Sequence, residues 1–437
     1  MEWYWILALA FGILVTLMLT RMPIFLAFAL LNVVGILWLY GYTGSEQLVL
    51  SISSSLSSLV LLPIPMFILM GEVTFRSGVA KNVITALDQW LGRFPGRLGL
   101  LAVSAGAAFS ALTGTSTAGT AMLGSVLTPE MEARKYGKSM SLGPILGSGG
   151  LALMIPPSSL AVVLGAIGEI SIGQLLLAII IPGILMAVLY GGYIVIRSAM
   201  QPSVAPPYDV ASTSLGKKVR DTAVYVVPIS ALLFLTVGVI LLGVATPTEA
   251  AALGAVGAFI LVAVYGRLTP EVVRSSVLST VRNSGMILII VAASTTFSQL
   301  LSFSGAAQGF VDFAVNLGAA PIIIVIAMMA VVFVMGGFMS LIGIMMITLP
   351  VFIPVVTELG YDPIWFGVLF LLNIEMALTT PPLGMNLYVM QGVAPKGTTL
   401  GQIVRAAVPF LALDAVAMVL ILVFPELALW LPEFMGS

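Results

Sequence analysis

The sequence predicts an all-α polytopic membrane protein with about 10–12 transmembrane helices and two re-entrant helical hairpins. Three observations support this prediction. Of the 437 residues, 60% are hydrophobic and only 8% are charged, whereas a soluble domain carries about 25% charged residues. Lysines and arginines fall in alternate loops between apolar segments. Two other apolar segments are interrupted by polar, glycine-rich residues and are too short to cross a bilayer twice.

The chain has no cysteine and no histidine. This composition excludes disulfides, thiolate nucleophiles, haem, His-ligated metals and intramembrane proteases of the H-E-x-x-H type. A net charge of −1 gives no indication of nucleic acid binding. The apolar run that starts at Trp3 has no basic leader before it, so we interpret it as a retained first span and not as a signal peptide.

The first half begins with three apolar runs, at about residues 3–20, 22–40 and 47–71, each long enough to span about 30 Å. Arg21 separates the first two runs, and Glu46 precedes the third. Placing the basic loops in the cytoplasm puts the N-terminus on the external, periplasmic side. Further spans are expected at about residues 141–165, 174–196, 222–243, 249–266, 284–302, 364–389 and 406–424.

Residues 98–131 do not fit an ordinary span. Arg97 and Arg134 flank the segment, so the chain must enter and leave from the cytoplasm. Each arm then has only roughly 16 residues, which is about 24 Å of helix and too short to cross. We therefore predict a re-entrant hairpin whose tip is the polar stretch 113–116.

The second half contains a corresponding hairpin at residues 320–357, which enters from the external side and turns near residues 336–340. In the first half, Pro156 follows Pro129 after 27 residues, and the same spacing between prolines recurs about 225 residues later. Amphipathic stretches precede both hairpins, and the external one covers residues 303–318. These matches predict an internal repeat.

The two copies start on opposite sides of the membrane, so the repeat is inverted. Inverted repeats with broken helices are the architecture of secondary transporters, which bind substrate and ions near the midplane. The predicted units are a first repeat, a cytoplasmic linker, a second repeat and a C-terminal tail, at residues 1–197, 198–221, 222–425 and 426–437.

A double proline interrupts one span in each half, at Pro156-Pro157 and at Pro381-Pro382. Proline frees carbonyl groups in the preceding turn, and carbonyls and hydroxyls at membrane depth suit a small hard cation such as Na⁺. We therefore group each hairpin tip with the broken span of its own half. The candidate sodium ligands are Thr113, Thr115, Ser116, Gly149, Gly150, Met154 and Pro156 in the first half, and Gly336, Gly337, Ser340, Thr379, Thr380, Pro381 and Gly384 in the second.

Close packing is the alternative interpretation, because small residues let membrane helices approach each other. Because these residues recur at matched positions in both halves, ligand binding is favoured over packing. Acidic residues inside spans are functional candidates, and Glu375 is either a structural acceptor or a coupling carboxylate, while Asp414 lies in the last span. The serine-rich segment 51–58 has no counterpart in the second half, and we interpret it as helix packing or a polar face.

Three stretches match the pattern of a known family: Phe109 to Ala118 (FSALTGTSTA), Ile155-Pro-Pro-Ser158, and Leu378 to Leu387 (LTTPPLGMNL). In these residues, and over nearly the whole chain, the sequence resembles the large membrane subunit of tripartite ATP-independent periplasmic (TRAP) transporters. The resemblance implies Na⁺-coupled uptake of an organic carboxylate across the bacterial inner membrane by an elevator motion. Na⁺ would be the coupling ion, with no other cofactor.

The resemblance also implies two protein partners, a small four-helix membrane subunit and a soluble periplasmic substrate-binding protein. The candidate substrate contacts are Ser116, Thr117, Ser158, Ser340 and Asn386.

Two other functions remain open. A stand-alone Na⁺/dicarboxylate symporter could use the same hairpins, and uptake by this chain alone would favour it. An ion channel could also contain inverted hairpins, and ion flux without substrate would favour that interpretation. A membrane enzyme is disfavoured because the sequence contains no recognisable nucleophile–base pair or metal cluster.

Overall fold

The computed structural model describes residues 2–20, 22–92, 94–113, 115–206, 214–382 and 384–436, and all regular secondary structure in these residues is helical. The helices are α1 (Trp3–Leu19), α2 (Ile24–Tyr40), α3 (Thr43–Leu56), α4 (Pro63–Arg76), α5 (Ala80–Asp88), α6 (Arg97–Thr113), α7 (Ser116–Ala133), α8 (Lys138–Met154), α9 (Ser159–Ile167), α10 (Ile172–Ala178), α11 (Ile180–Met200), α12 (Leu215–Leu241), α13 (Pro247–Val264), α14 (Pro270–Phe303), α15 (Ala306–Val315), α16 (Pro321–Gly336), α17 (Leu341–Glu358), α18 (Pro363–Leu378), α19 (Met385–Val393), α20 (Leu400–Val423) and α21 (Glu426–Gly436).

Seven helical segments in the described residues are long and apolar enough to cross a membrane. The pair α8 and α9, bent by 46° at the Pro156-Pro157 break, forms an eighth candidate. Six shorter apolar helices of 10–17 residues accompany them. The chain is a multi-pass, all-α membrane protein, as its composition predicts.

The expected single span at residues 47–71 is wrong, because the chain forms α3 and α4 there with a 3₁₀ turn at Leu59–Leu61 between them. The hydroxyl of Ser58 accepts a hydrogen bond from the Val60 amide (3.3 Å) and starts this turn. Pro63 then takes the first position of α4, where a missing N–H is tolerated. Polar caps and prolines therefore divide an apolar run that is long enough for one span.

The helix that was expected at residues 284–302 starts much earlier, at Pro270. The Thr269 hydroxyl caps its first turn by accepting a hydrogen bond from the Val272 amide (3.2 Å). As a result α14 has 34 residues, and Arg274 and Arg282 lie within the helix and not in a loop.

One group of helices packs around α14, which contacts α2, α3 and α4. The Asn32 amide donates to the Ala293 carbonyl (2.7 Å), and the hydroxyls of Ser51 and Thr296 lie 3.2 Å apart. Hydrogen bonds therefore hold α2 and the serine-rich α3 against α14. Such contacts are typical of helix packing in membranes, where apolar burial alone does not drive association.

A second group packs around α8, whose residues from Met140 to Met154 are all buried. Helices α6, α7, α11 and α20 contact it. A methyl group at Gly143 would lie 2.6 Å from the Phe410 ring, and one at Gly147 would lie 3.0 Å from Phe410 Cγ. The glycines of α8 therefore let α20 approach closely.

The Asp414 carboxylate in α20 is buried against α11, where the Tyr190 hydroxyl donates a hydrogen bond to it. We expect Tyr190→Phe to lower the free energy of unfolding by on the order of 1–3 kcal/mol, because the buried Asp414 carboxylate loses its hydrogen-bond donor. Thermal unfolding of the detergent-purified protein measures the change. Tyr193→Phe is the matched control, since both rings contact Phe410. Equal stability of the two variants would contradict this role of Tyr190.

Candidate functional site

A cavity of about 420 Å³ lies where α4 and α14 face the first turn of α7. We call it the Thr115 cavity. Helices α9 and α17, the last residue of α18 and the first residue of α19 complete its walls. Its polar and charged lining residues in the described part of the chain are Glu72, Arg76, Thr115, Ser116, Thr117, Ser159 and Asn283.

Ser116 lies at the wall of this cavity and connects three helices. Its hydroxyl accepts a hydrogen bond from Asn386 Nδ2 (2.7 Å) in α19 and donates to Glu375 Oε1 (3.3 Å) in α18. All three side chains are at most 3% exposed. The tip of the first hairpin is therefore joined to the broken span of the second half, whereas the sequence grouped each tip with the span of its own half.

Three buried oxygens next to Ser116 have no hydrogen-bond partner among the described residues: Glu375 Oε2, Asn386 Oδ1 and Thr120 Oγ1. Burying such groups without partners is costly, above all for a carboxylate. An oxygen-rich donor set with one acidic group fits a small hard cation. Thr120 was missed from the sequence, although it lies four residues after Ser116 and so on the same face of α7.

Gly149 and Gly150 of α8 provide the space for this cluster. A methyl group at Gly149 would lie 3.2 Å from the Ser116 carbonyl oxygen, and one at Gly150 would lie 2.7 Å from the Glu375 carboxyl carbon. Both predicted residues therefore contact the cluster. The close packing also accounts for glycine at these positions.

Of the three other candidates of the first half, two lie at the end of α8, and the side chain of the third is not described. The Met154 backbone packs against α11, where a methyl group at Gly183 would lie 2.9 Å from its carbonyl carbon. Pro156 is buried beside it, in a cis peptide bond with Pro157. The side chain of Thr113 lies outside the described residues.

In the second half, the glycines at the hairpin tip contact the turn that follows α18. A methyl group at Gly336 would lie 3.5 Å from Ala377 Cα, and one at Gly337 would lie 3.6 Å from the Pro381 carbonyl oxygen. The structure therefore brings together the predicted glycines of the tip and the broken span of the same half.

The polar candidates around this turn make local hydrogen bonds. The hydroxyls of Thr379 and Thr380 both donate to the Met376 carbonyl oxygen (3.1 and 2.7 Å). The Gly384 amide donates to the Thr380 carbonyl oxygen (3.1 Å). A hydroxyl that donates in this way keeps lone pairs for a ligand.

Ser158 and Ser340 take equivalent local positions, each capping the N-terminus of a helix. The Ser158 hydroxyl accepts from the Ala161 amide (3.3 Å), and the Ser340 hydroxyl accepts from the Gly343 amide (3.2 Å). Their neighbours Ser159 and Leu341 line the Thr115 cavity. Each cap therefore positions a helix end at the cavity.

A second, larger cavity of about 990 Å³ lies along the same three helices, α4, α9 and α14, towards their other ends. We call it the Ser54 cavity. It was not predicted from the sequence, although residues of the serine-rich segment line it together with two glutamates. Its polar lining residues in the described chain include Ser54, Ser55, Ser58, Glu169, Thr246, Thr248, Glu249 and Thr295.

Broken apolar helices around a buried polar cluster define a helical membrane protein of the transporter type. The fold is similar to that of the Alcanivorax borkumensis YdaH transporter, with a TM-score of 0.62 and 15% sequence identity. The similarity covers 91% of this chain and 90% of that one. At this identity the likeness concerns the fold.

The chain belongs to the family described as tripartite ATP-independent periplasmic transporter, DctM component, whose model matches residues 11–427. It is 32% identical over 444 residues to the C4-dicarboxylate TRAP transporter large permease of Rhodobacter capsulatus, covering 98% of both chains. It is also 27% identical over 423 residues to the ectoine TRAP transporter large permease of Halomonas elongata, covering 96% of this chain and 97% of that one. The family that the sequence motifs indicated is therefore confirmed.

The family consists of transporter permeases, which work with a substrate-binding protein and usually with a small membrane subunit.

Proposed function

We propose that this chain is the permease subunit of a TRAP system that takes up an organic carboxylate across the bacterial inner membrane, driven by Na⁺. A soluble periplasmic binding protein delivers the substrate, and a small four-helix membrane subunit completes the transporter. The relatives named for C4-dicarboxylates and for ectoine support a carboxylate-type substrate. The N-terminus lies on the periplasmic side.

The observation that carries this proposal is the Thr115 cavity, whose lining residue Ser116 is hydrogen-bonded to the buried side chains of Glu375 and Asn386. The substrate occupies the cavity and contacts Ser116 and Thr117, which line it. Ser158, Ser340 and Asn386 are the further proposed contacts, and each adjoins a lining residue in the chain.

Two Na⁺ positions are proposed, one at each hairpin tip. The first uses Thr113, Thr115, Ser116 and the backbone from Gly149 to Pro156, with Glu375 as the coupling carboxylate. The second uses Gly336, Gly337, Ser340, Thr379, Thr380, Pro381 and Gly384. The three oxygens beside Ser116 that have no hydrogen-bond partner in the described part of the chain support the first position. The proximity of Gly337 to the Pro381 carbonyl supports the second.

Transport follows an elevator mechanism, in which the part of the protein around α8 slides against the part around α14. The inverted repeats at residues 1–197 and 222–425 provide the two related conformations. The domain moves with substrate only when Na⁺ is bound, which is a shift of population between the two states.

Reconstitution tests this function. Proteoliposomes that contain the chain and its small partner subunit should take up the carboxylates that stabilise the binding protein in thermal-shift screening. Uptake should require both the binding protein and an inward Na⁺ gradient. Uptake without the binding protein would instead support a stand-alone Na⁺/dicarboxylate symporter. Ion flux without substrate, at rates far above carrier turnover, would support a channel.

We expect Ser116→Ala to raise the Na⁺ concentration for half-maximal uptake about fivefold or more, since an oxygen ligand is lost together with two hydrogen bonds of about 1 kcal/mol each, to Asn386 and Glu375. Uptake measured over a range of Na⁺ concentrations gives this value. Ser125→Ala is the control in the same helix, because its exposed hydroxyl donates to the Met122 carbonyl (2.8 Å) within its own helix. An unchanged Na⁺ dependence of Ser116→Ala would refute the first Na⁺ position.

A further inference from the structure

Arg76 gives the Thr115 cavity a positive group. It is the last residue of α4, and its side chain is 37% exposed. Among the described residues that line the cavity, Glu72 and Arg76 are the two with charged side chains. The remaining lining is apolar or carries hydroxyl and amide groups. Arg76 is thus the lining cation available to an anion.

The Glu72 carboxylate does not occupy the whole guanidinium. Its Oε1 accepts a hydrogen bond from the Ser279 hydroxyl (2.6 Å), and its Oε2 accepts one from Arg76 Nε (2.7 Å). Both carboxylate oxygens are therefore engaged. The two terminal Nη groups of Arg76 donate to no side chain or carbonyl in the described part of the chain, although arginine has five N–H donors in a fixed planar arrangement.

Glu72 also fixes the orientation of Arg76. The Asn283 amide lies 3.5 Å from the Ser279 hydroxyl, so a chain of polar contacts runs along α14 to Glu72 and from there to Arg76. A guanidinium held through Nε keeps its Nη pair available for an end-on, bidentate contact with a carboxylate or sulfonate. Such a preset arginine loses little conformational entropy when it binds an anion.

The part of the cavity wall that α7 forms suits a second polar group of such an anionic ligand. Thr115 precedes α7, and Ser116 and Thr117 form its first turn. The first turn of an 18-residue helix carries partial positive charge. An organic anion in the cavity would therefore meet hydroxyls and backbone amides at α7 and a guanidinium at α4.

We propose that Arg76 is the residue that recognises the anionic group of the ligand in the Thr115 cavity, through its two Nη groups. The proposal rests on the proposed function for the identity of the cavity as the substrate site. It predicts that anions enter the cavity more readily than cations of similar size, whether or not the chain transports them.

The test uses the absence of cysteine from the chain. Thr117→Cys places one thiol in the cavity of the full-length protein in membrane vesicles opened to both sides. Its rate of modification is measured with two methanethiosulfonate reagents, the anionic sulfonatoethyl form and the cationic trimethylammonium-ethyl form. The ratio of the two rates reports the electrostatic preference of the cavity and requires no transport.

Adding Arg76→Gln should lower the anionic-to-cationic ratio by about tenfold, since a nearby charge changes the two rates in opposite directions. Arg76→Lys should keep the ratio within about twofold of the parent, because it keeps the charge. Arg274→Gln is the control, since it removes the same charge from an exposed position outside the cavity lining.

An unchanged ratio in Arg76→Gln would overturn the proposal, as would an equal decrease in Arg274→Gln or failure of both reagents to reach the Thr117→Cys thiol. The outcome is separable from the proposed function. A chain that fails to take up carboxylates in proteoliposomes but shows the shifted ratio contradicts the function and supports the role of Arg76.

Discussion

Gly183→Val is expected to leave little correctly folded protein. A methyl group at this position in α11 would already lie 2.9 Å from the carbonyl carbon of Met154, at the end of α8. The atom that would have to move is backbone and cannot rotate away. Overpacking of this kind costs about 1–3 kcal/mol, and valine adds two more methyl groups.

The yield of monodisperse protein in detergent and its thermal unfolding midpoint measure this effect. Gly192→Val is the matched control, because Gly192 lies in the same helix and no heavy atom of the described residues would lie within 4 Å of an added methyl group. Gly183→Val should lose several degrees of thermal stability relative to Gly192→Val. If both variants are equally stable, α11 does not need glycine to approach the break after α8.

Glu375→Gln is expected to reduce Na⁺-driven uptake at least tenfold at a low Na⁺ concentration. The glutamine keeps the size of the side chain and an oxygen that can accept the Ser116 hydrogen bond. It removes the charge of a group that is 2% exposed and has one oxygen without a hydrogen-bond partner among the described residues. A cation held by that charge should bind at least tenfold more weakly, which corresponds to about 1.4 kcal/mol.

The measurement is the Na⁺ concentration for half-maximal uptake, compared with thermal stability in the same preparations. Glu358→Gln is the control, because it removes an exposed carboxylate at the end of α17. The alternative for Glu375 is a purely structural acceptor. In that case the variant would be less stable while its half-maximal Na⁺ concentration stayed at the parent value.

Much of the fold could be predicted because a bilayer imposes simple rules on composition. Helical secondary structure and several spans follow from apolar length, and the break after α8 follows from Pro156-Pro157. The division of residues 47–71 into α3 and α4 was not predicted, because length alone allowed a single span. Ser58 and Pro63 are sequence signals for a helix boundary, but the length of the apolar run favoured a single span.

Most residues of the candidate site were predicted from the sequence, but the contacts between them were not. Ser116, Gly150, Glu375 and Asn386 were all candidates, yet their contacts join residues as far as 270 positions apart in the chain. No local pattern encodes such a pairing. Arg76 was not among the candidates, since a basic residue at the end of a span resembles a topology signal.

The two cavities along α14 have a consequence for voltage. The Thr115 cavity extends along this helix to Ile287, and the Ser54 cavity begins at Val291, four residues further on. That distance is about 6 Å of helix, against about 30 Å of hydrocarbon in the surrounding bilayer.

In the proposed topology the two cavities open to opposite sides of the membrane. Water and ions in the two cavities would confine most of the transmembrane electric field to the short stretch of protein between Ile287 and Val291. A charged ligand that shifts by about 6 Å would then respond to nearly the full potential, about 2.3 kcal/mol per charge for each 100 mV.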